Sequence, residues 1–167
     1  MPFRPIPFLV CIILLISLSG HAQAELPRNF IHQGERFLAM GKYPAAMARY
    51  SKVIECCPGT IEASEAHNDI GVIHARQGNM DLAMSEYETA LQGAPYPLAH
   101  FNLGKALADK FKEYPENEEL RTRALFHLQE FRSYLNSAAK LPPIITSQRN
   151  EIESYLSSTI DSLADRQ

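Results

Sequence analysis

The sequence predicts an all-α protein in which antiparallel helix pairs stack side by side and one C-terminal helix caps the stack. Two observations in the 167-residue chain support this fold. A set of glycine, alanine, tyrosine and proline positions recurs at a fixed offset, and an apolar stripe at helical spacing follows Pro142-Pro143. Because a single helix pair cannot bury its apolar face alone, neighbouring pairs are expected to share one continuous core.

The repeat rests on five identities, each separated by 37 residues. They are Gly34 and Gly71, Gly41 and Gly78, Ala46 and Ala83, Tyr50 and Tyr87, and Pro58 and Pro95. The first glycine of each unit would let two helices approach closely, the second would form the turn between them, and the proline would end the second helix. A third unit begins around Gly104, and eight additional residues within 110–119 precede the rest of its second helix.

These features divide the chain into three parts: a signal peptide over 1–24, a repeat domain over 25–140 and an amphipathic capping helix within 141–167. The repeat units are expected at about 27–60, 64–97 and 97–140. The predicted helices are 28–40, 44–56, 62–77, 80–92, 97–112, 117–138 and 145–164.

The first 24 residues have the three parts of a secretory signal peptide. Arg4 gives a positive start, 8–18 is an almost unbroken apolar run, and Ala22-Gln23-Ala24 offers the small residues that a signal peptidase recognises. This run is too short for a spanning helix, which needs about 20 apolar residues. We therefore predict cleavage after Ala24 and an exported, periplasmic protein with no stable membrane span. The alternative is that the protein is secreted or keeps the segment as an N-terminal membrane anchor.

Composition and motifs exclude several classes of function. The formal net charge is −3, and the charged residues form no long block of one sign. A nucleic-acid-binding surface would need a basic stripe, so we predict no nucleic-acid partner. The sequence has no phosphate-binding glycine loop, no nucleophile elbow and no His-Glu-x-x-His motif. The acidic cluster at 116–119 is interpreted as a helix start capped by Asn117. We predict that the chain is not an enzyme and uses no cofactor and no metal.

Cysteine and histidine are the remaining candidates for redox or metal chemistry. Cys56 and Cys57 are adjacent, and neighbouring cysteines bridge only through a strained ring, so we interpret them as free thiols near a helix end. A vicinal redox disulfide or an intermolecular bridge is the alternative. His67 and His74 lie two helical turns apart, and His100 repeats the position of His67. We interpret all three as packing residues, because a separation of about 10 Å along a helix suits one metal poorly. The alternative is a metal site or a pH-sensitive joint.

The spacing of the glycine, alanine, aromatic and proline residues resembles the tetratricopeptide repeat family over about 27–97, and more loosely over 98–140. His67 and His100 depart from the family pattern because they stand where a large aromatic residue is usual. The resemblance implies a right-handed solenoid whose first helices line a concave groove. Carried onto this chain, it predicts a partner-binding groove formed by Ile31, His32, Glu35, Asn68, Asp69, Val72, Arg76, Phe101, Asn102 and Lys105. The same family positions include Arg28, Glu65 and Leu98.

One subgroup of the family binds a C-terminal carboxylate through Lys and Asn side chains. In this chain Ile31, Glu35 and Asp69 occupy the places where those residues are needed. Because two acids would repel a carboxylate, that mode of binding is not predicted. The mixed lining instead suits an extended or helical peptide that makes polar and apolar contacts.

We therefore predict a scaffold or assembly factor of the cell envelope that binds another protein or a peptide in this groove. A second hypothesis is a structural protein that self-associates, for example as a homodimer, through the stripe of the C-terminal helix or through Cys56 and Cys57. That stripe consists of Ile145, Ile152, Leu156, Ile160 and Leu163. A third hypothesis is a metal- or redox-linked role that uses His67, His74 and His100 or the two cysteines.

Overall fold

The computed structural model describes residues 27–137, 141 and 143–165, so the predicted signal peptide lies outside the described residues. In this part of the chain all regular structure is α-helical, which confirms the all-α prediction. Helix α1 covers residues 27–39. The helices that follow are α2 (Tyr43–Cys56), α3 (Ile61–Arg76), α4 (Met80–Gln92), α5 (Pro97–Glu113), α6 (Glu118–Ser137), α7 (Pro143–Ser147) and α8 (Arg149–Ala164). Up to α6 the predicted bounds agree with these to within one residue.

The helices pair in the order that the repeat predicts. Helix α3 packs most extensively against α4, and α5 against α6, while α2 and α4 each contact the first helix of the next pair. Two clusters of buried residues result, one centred on α1–α3 and the other extending from α3 to α8. None of the described helices has both the length and the apolar composition that crossing a membrane requires.

The spacing between glycine and tyrosine, which both of the first two units share, has a steric cause. A Cβ atom on Gly34 would lie 2.4 Å from Cε1 of Tyr50, and a Cβ atom on Gly71 would lie 2.5 Å from Cε1 of Tyr87. Carbon atoms in proteins do not approach this closely without displacement. The two glycines therefore occupy equivalent helix crossings in which a tyrosine ring fills the space of the missing side chain, as the 37-residue repeat predicts.

The turns between paired helices use the second glycine of each unit. Gly41 has a φ of +70° and Gly78 a φ of +81°, in the left-handed region that glycine adopts at little cost. The next pair starts at Thr60, whose hydroxyl oxygen accepts a hydrogen bond of 3.2 Å from the backbone N–H of Ala63 and so caps α3.

The insertion in the third unit lengthens its helices and does not form a loop. Compared with the second unit, α5 continues for four more residues after Gly104, the turn is one residue longer, and α6 starts three residues earlier relative to Ala124. Asn117 caps α6 as predicted, because its side-chain oxygen accepts a hydrogen bond of 3.2 Å from the N–H of Leu120. Leu128 takes the place of the tyrosine against Gly104.

The C-terminal segment forms two helices, which corrects the prediction of one helix over 145–164. At Gln148 the backbone leaves the helical conformation (φ −111°, ψ 13°) and α8 starts after it. The break lets α7 bury Ile145 beside the first helices, while α8 lies along α6. The apolar stripe of α8 is buried within the chain at Leu156, Ile160 and Leu163. This favours the capping role over a self-association role for the helix.

Candidate functional site

Two adjoining cavities open on the face formed by the first helices of the pairs. The inner cavity, of about 500 Å³, is lined by residues of α1, α3, α6 and α7 and of the chain at the start of α5. The outer cavity, of about 350 Å³, is lined by residues of α5, α7 and α8 and the break between the last two. Leu98 and Ile145 line both cavities. We call the two cavities together the groove.

A chain of side-chain hydrogen bonds runs from the outer cavity to the inner one. Nδ2 of Asn102 on α5 donates to Oδ1 of Asn68 on α3 at 2.8 Å. Nδ2 of Asn68 in turn donates to Oδ1 of Asp69 at 3.3 Å. Asn68 is only 3% exposed, so these bonds satisfy an amide that would be costly to bury alone. They fix the relative position of α3 and α5 on the inner face.

An arginine joins α1 to α3 at the other end of the inner cavity. The guanidinium of Arg28 donates to Oε2 of Glu65 at 2.6 Å and to Oε1 of Glu62 at 3.0 Å. Burial raises the pKa of the Glu65 carboxyl, and the Arg28 charge only partly offsets that effect. The one arginine is therefore engaged by two carboxylates and leaves the rest of the inner cavity acidic.

Asp69 is the most strongly perturbed acid of the groove. Burial raises its pKa to about 7, and the nearby charges of Glu65 and Glu35 act in the same direction. The Tyr50 hydroxyl and the Asn68 amide act in the opposite direction. The Tyr50 hydroxyl faces Asp69 but falls short of a full hydrogen bond, so the carboxylate is only weakly satisfied from inside the protein.

The outer cavity has an aromatic wall. The Phe101 ring on α5 packs against Phe131 at a centroid distance of 5.0 Å and meets the edge of Tyr155 on α8 at 5.7 Å. Gln148 and Glu151 complete the polar side of this cavity. The aromatic surface can bind apolar side chains, and the polar rim can form hydrogen bonds with a backbone.

Half of the residues predicted for the groove line one of its two cavities. The inner cavity contains Glu35, Asn68 and Asp69, and the outer cavity contains Phe101 and Asn102. Arg28, Glu65 and Leu98, which occupy the corresponding family positions, also line the inner cavity.

The prediction of a groove position is wrong for Ile31, because this residue is 0% exposed and belongs to the core around α1–α3. Its side chain therefore cannot contact a partner. The remaining predicted residues lie outside both cavities. His32 is exposed and hydrogen-bonds Glu35, Lys105 pairs with Asp109, Val72 packs on the core, and Arg76 is exposed at the end of α3.

The sequence analysis missed the wall that the C-terminal segment contributes. Ile145, Gln148 and Tyr155 all line the groove, whereas the sequence predicts a capping helix, with self-association as the alternative, and places no residue of this segment in the groove. The break at Gln148 has no clear sequence signal. Tyr96 and Tyr134, which line the inner cavity, lie outside the repeat landmarks.

Two histidines of the third hypothesis, His67 and His100, contact different partners. Nδ1 of His67 lies 2.8 Å from Oε2 of Glu86, and Nδ1 of His100 lies 2.9 Å from Nδ1 of His127. Burial lowers the pKa of His127 to about 4. Across residues 27–137 and 143–165 no three His, Cys, Asp or Glu side chains converge in a way that could hold a metal ion.

The two cysteines of the described chain are free thiols at the end of α2, with Cys56 exposed and Cys57 half-buried. Interaction with the neighbouring thiol of Cys56 and burial raise the pKa of Cys57 to about 11. The exposed position of Cys56 is compatible with an intermolecular bridge, which stays a prediction.

Comparison with known proteins identifies the fold. No protein-family model matches the sequence, and no curated protein is similar to it. Among solved structures, the Yersinia enterocolitica type III secretion chaperone SycD, in complex with a peptide of the translocator YopD, superposes with a TM-score of 0.60 at 17% identity, over 82% of this chain and 91% of SycD.

A second similar structure is the first TPR of Spaghetti (RPAP3), bound to the HSP90 peptide SRMEEVD. Its TM-score is 0.58 at 15% identity, over 84% of this chain and 95% of that one. Identities this low establish a shared fold only. With its equivalent glycine crossings and its capped stack of helix pairs, the chain has the tetratricopeptide-repeat fold.

Proposed function

We propose that this protein is a scaffold or assembly factor that holds a segment of another protein in its groove. The observation that carries the proposal is the groove itself. It combines hydrogen-bonded amides, half-buried carboxylates and an aromatic wall on the face formed by the first helices. Preformed cavities with apolar walls and a few oriented polar groups are typical of binding sites.

The solved structures of the same fold support a peptide as the ligand. Both were determined with a peptide of another protein, YopD in one case and HSP90 in the other. Because fold alone does not establish function, these structures suggest only the class of partner, a peptide, and not its identity. The two cavities adjoin at Leu98 and Ile145, so one partner segment could contact both.

We further propose that the protein acts by binding and not by catalysis. Among the described residues that line the groove none is a histidine, serine, threonine or cysteine, and the His32 ring that hydrogen-bonds Glu35 is exposed outside both cavities. Asp69 contacts an amide and faces a tyrosine hydroxyl, and Glu65 contacts Arg28. These contacts hold the carboxylates in fixed positions and give the groove a negative charge, which suits a binding site.

The proposed place of action is the cell envelope, with the periplasm as the expected compartment. The support is the signal-like composition of residues 1–24. N-terminal sequencing of the protein recovered from a periplasmic extract should give Glu25 as the first residue. Recovery of the intact N-terminus from the membrane fraction would show that the segment is an anchor.

Site-specific photo-cross-linking tests whether the groove is the binding surface. Displayed random peptides would first be selected on the processed protein. A photoreactive residue would then replace Gln148, which is exposed at the outer cavity, or Gln129, an exposed glutamine of α6 that lines neither cavity.

Selected peptides should cross-link at position 148 and not at position 129. Equal cross-linking at both positions, or failure to select any peptide, would count against the groove as the site.

A further inference from the structure

We propose that the inner cavity binds a lysine or arginine side chain of the partner segment, while the apolar neighbours of that cation lie on Leu98, Ile145 and the outer cavity. This inference rests on the proposed function of the groove and adds the chemical class of its ligand. The cation would enter between the acids of α1 and α3, with Glu35 nearer the solvent and Asp69 at the base.

The charges of the groove are unbalanced. Among the described residues that line it, Arg28 is the only lysine or arginine, and its guanidinium already bridges two carboxylates of α3. The described residues that line the groove include four carboxylates: Glu35, Glu65, Asp69 and Glu151. Two of them, Glu35 and Asp69, face the inner cavity without an ion pair to lysine or arginine. An added cation would meet complementary charge there.

The walls of the inner cavity suit the long side chain of such a cation. Tyr96, Leu98 and Tyr134 present aromatic and aliphatic surface beside the acids. Lysine and arginine bury their methylene groups against apolar surface while their charged ends reach polar partners. The cavity volume of about 500 Å³ leaves room for one such side chain and part of the adjoining backbone.

Other partner segments fit this lining less well. An acidic side chain or a terminal carboxylate would be repelled by Glu35 and Asp69. A wholly apolar segment would cover Asp69 without giving it a new partner, so the carboxyl group would either bear the cost of a buried charge or have to keep its proton. Within the protein the Asp69 carboxylate accepts a long hydrogen bond of 3.3 Å from Asn68, and its raised pKa agrees with that weak compensation. Charge complementarity therefore favours the cation.

The test compares three fluorescent pools of short peptides that differ only in the central residue. That residue is lysine, its neutral analogue norleucine, or glutamate, flanked by leucine on both sides and by mixed neutral residues beyond. Binding to the processed protein is measured by fluorescence anisotropy at low and at high salt. We expect the lysine pool to bind about tenfold more tightly than the norleucine pool and the glutamate pool to bind most weakly, because a charge-assisted hydrogen bond contributes on that scale.

Substitutions test whether the acids of the inner cavity cause the preference for lysine. The double variant Glu35→Gln/Asp69→Asn should reduce the lysine-to-norleucine ratio from about ten to about one, after circular dichroism has shown that it is folded. The control variant Glu116→Gln, at an exposed acid in the turn between α5 and α6, should keep the wild-type ratio.

The outcomes separate this inference from the function on which it rests. Equal binding of all three pools to the wild-type protein, with cross-linking at position 148, would overturn the cation preference and leave peptide binding intact. A lysine preference that persists in the double variant would also overturn it, because the acids would not be its source. Absence of binding by every pool would overturn both proposals.

Discussion

Replacing Asp69 with asparagine should stabilise the folded protein at pH 8, even though the change removes a groove carboxylate. In the folded protein burial raises the pKa of Asp69 from 3.8 to about 7. Between these two values the folded state keeps a proton that the unfolded chain has lost. The free energy of unfolding therefore falls as the pH rises through this window, and it stays low above pH 7.

The size of the pKa change sets the size of the expected stabilisation. A rise from 3.8 to about 7 corresponds to an upper limit of roughly 4 kcal/mol. The carboxylate borders an open cavity in which solvent screens its charge, so we expect about 2 kcal/mol at pH 8. Asparagine has the same shape, carries no charge, and can still accept the hydrogen bond from Asn68.

Urea denaturation followed by circular dichroism at pH 4.5, 6 and 8 measures this effect. The difference in unfolding free energy between Asp69→Asn and wild type should be smallest at pH 4.5, just above the unfolded pKa, and should grow with pH. Taking the difference removes titrations that both proteins share. Glu116→Gln, at the exposed turn between α5 and α6, serves as the control and should change stability by less than about 0.5 kcal/mol at each pH.

Two results would refute the reasoning. If Asp69→Asn destabilises the protein equally at all three pH values, the carboxylate acts mainly as a hydrogen-bond acceptor. If the two proteins are equally stable at all three pH values, Asp69 is hydrated in the folded protein and the inner cavity is more open than the structure shows.

Three further predictions concern other parts of the molecule. Gly34→Ala should lower the free energy of unfolding by about 1–2 kcal/mol, because the clash with Tyr50 outweighs the gain in helix propensity; urea denaturation with unchanged or increased stability would contradict it. Asn102→Ala should cost about 1–2 kcal/mol by leaving the buried Asn68 without its donor, and the double variant with Asn68→Ala should recover part of that loss in a double-mutant cycle. His127→Gln should reduce the loss of melting temperature between pH 7 and pH 5. Burial lowers the pKa of His127 in the folded protein to about 4, so the folded state loses stability as the pH falls below the unfolded pKa near 6.5. An equal loss of melting temperature in both proteins would contradict this prediction.

Most of the helical framework could be predicted because its constraints are local and steric. A close helix crossing requires glycine on one helix, and the tyrosine sixteen residues later fills the space of the missing side chain. The pair Gly34 and Tyr50 therefore predicts where the two helices cross. A left-handed turn requires Gly41 for a similar reason. These requirements repeat with the unit, which is why the spacing alone gave helix bounds within one residue up to α6.

The groove was harder to predict because its walls come from distant parts of the chain. The repeat pattern gives the position of a residue on a first helix, but it does not give the depth to which that residue is buried. Ile31 and Glu35 lie one helical turn apart in predicted groove positions, yet Ile31 is in the core and Glu35 is half exposed. The break at Gln148, which places Ile145 against the inner cavity, depends on packing after the repeats end.

The C-terminal segment links stability to binding. Leu156, Ile160 and Leu163 cover the end of the stack, which a solenoid needs in order to remain soluble. On the same segment, Tyr155 packs on Phe101 and Ile145 divides the inner cavity from the outer one. A change that loosens α8 would therefore alter the groove as well as the core. Loss of binding in a C-terminal truncation would therefore not by itself locate the binding site. Substitutions at Glu35 and Asp69 test the groove more directly, because these residues lie on α1 and α3 and not on the capping segment.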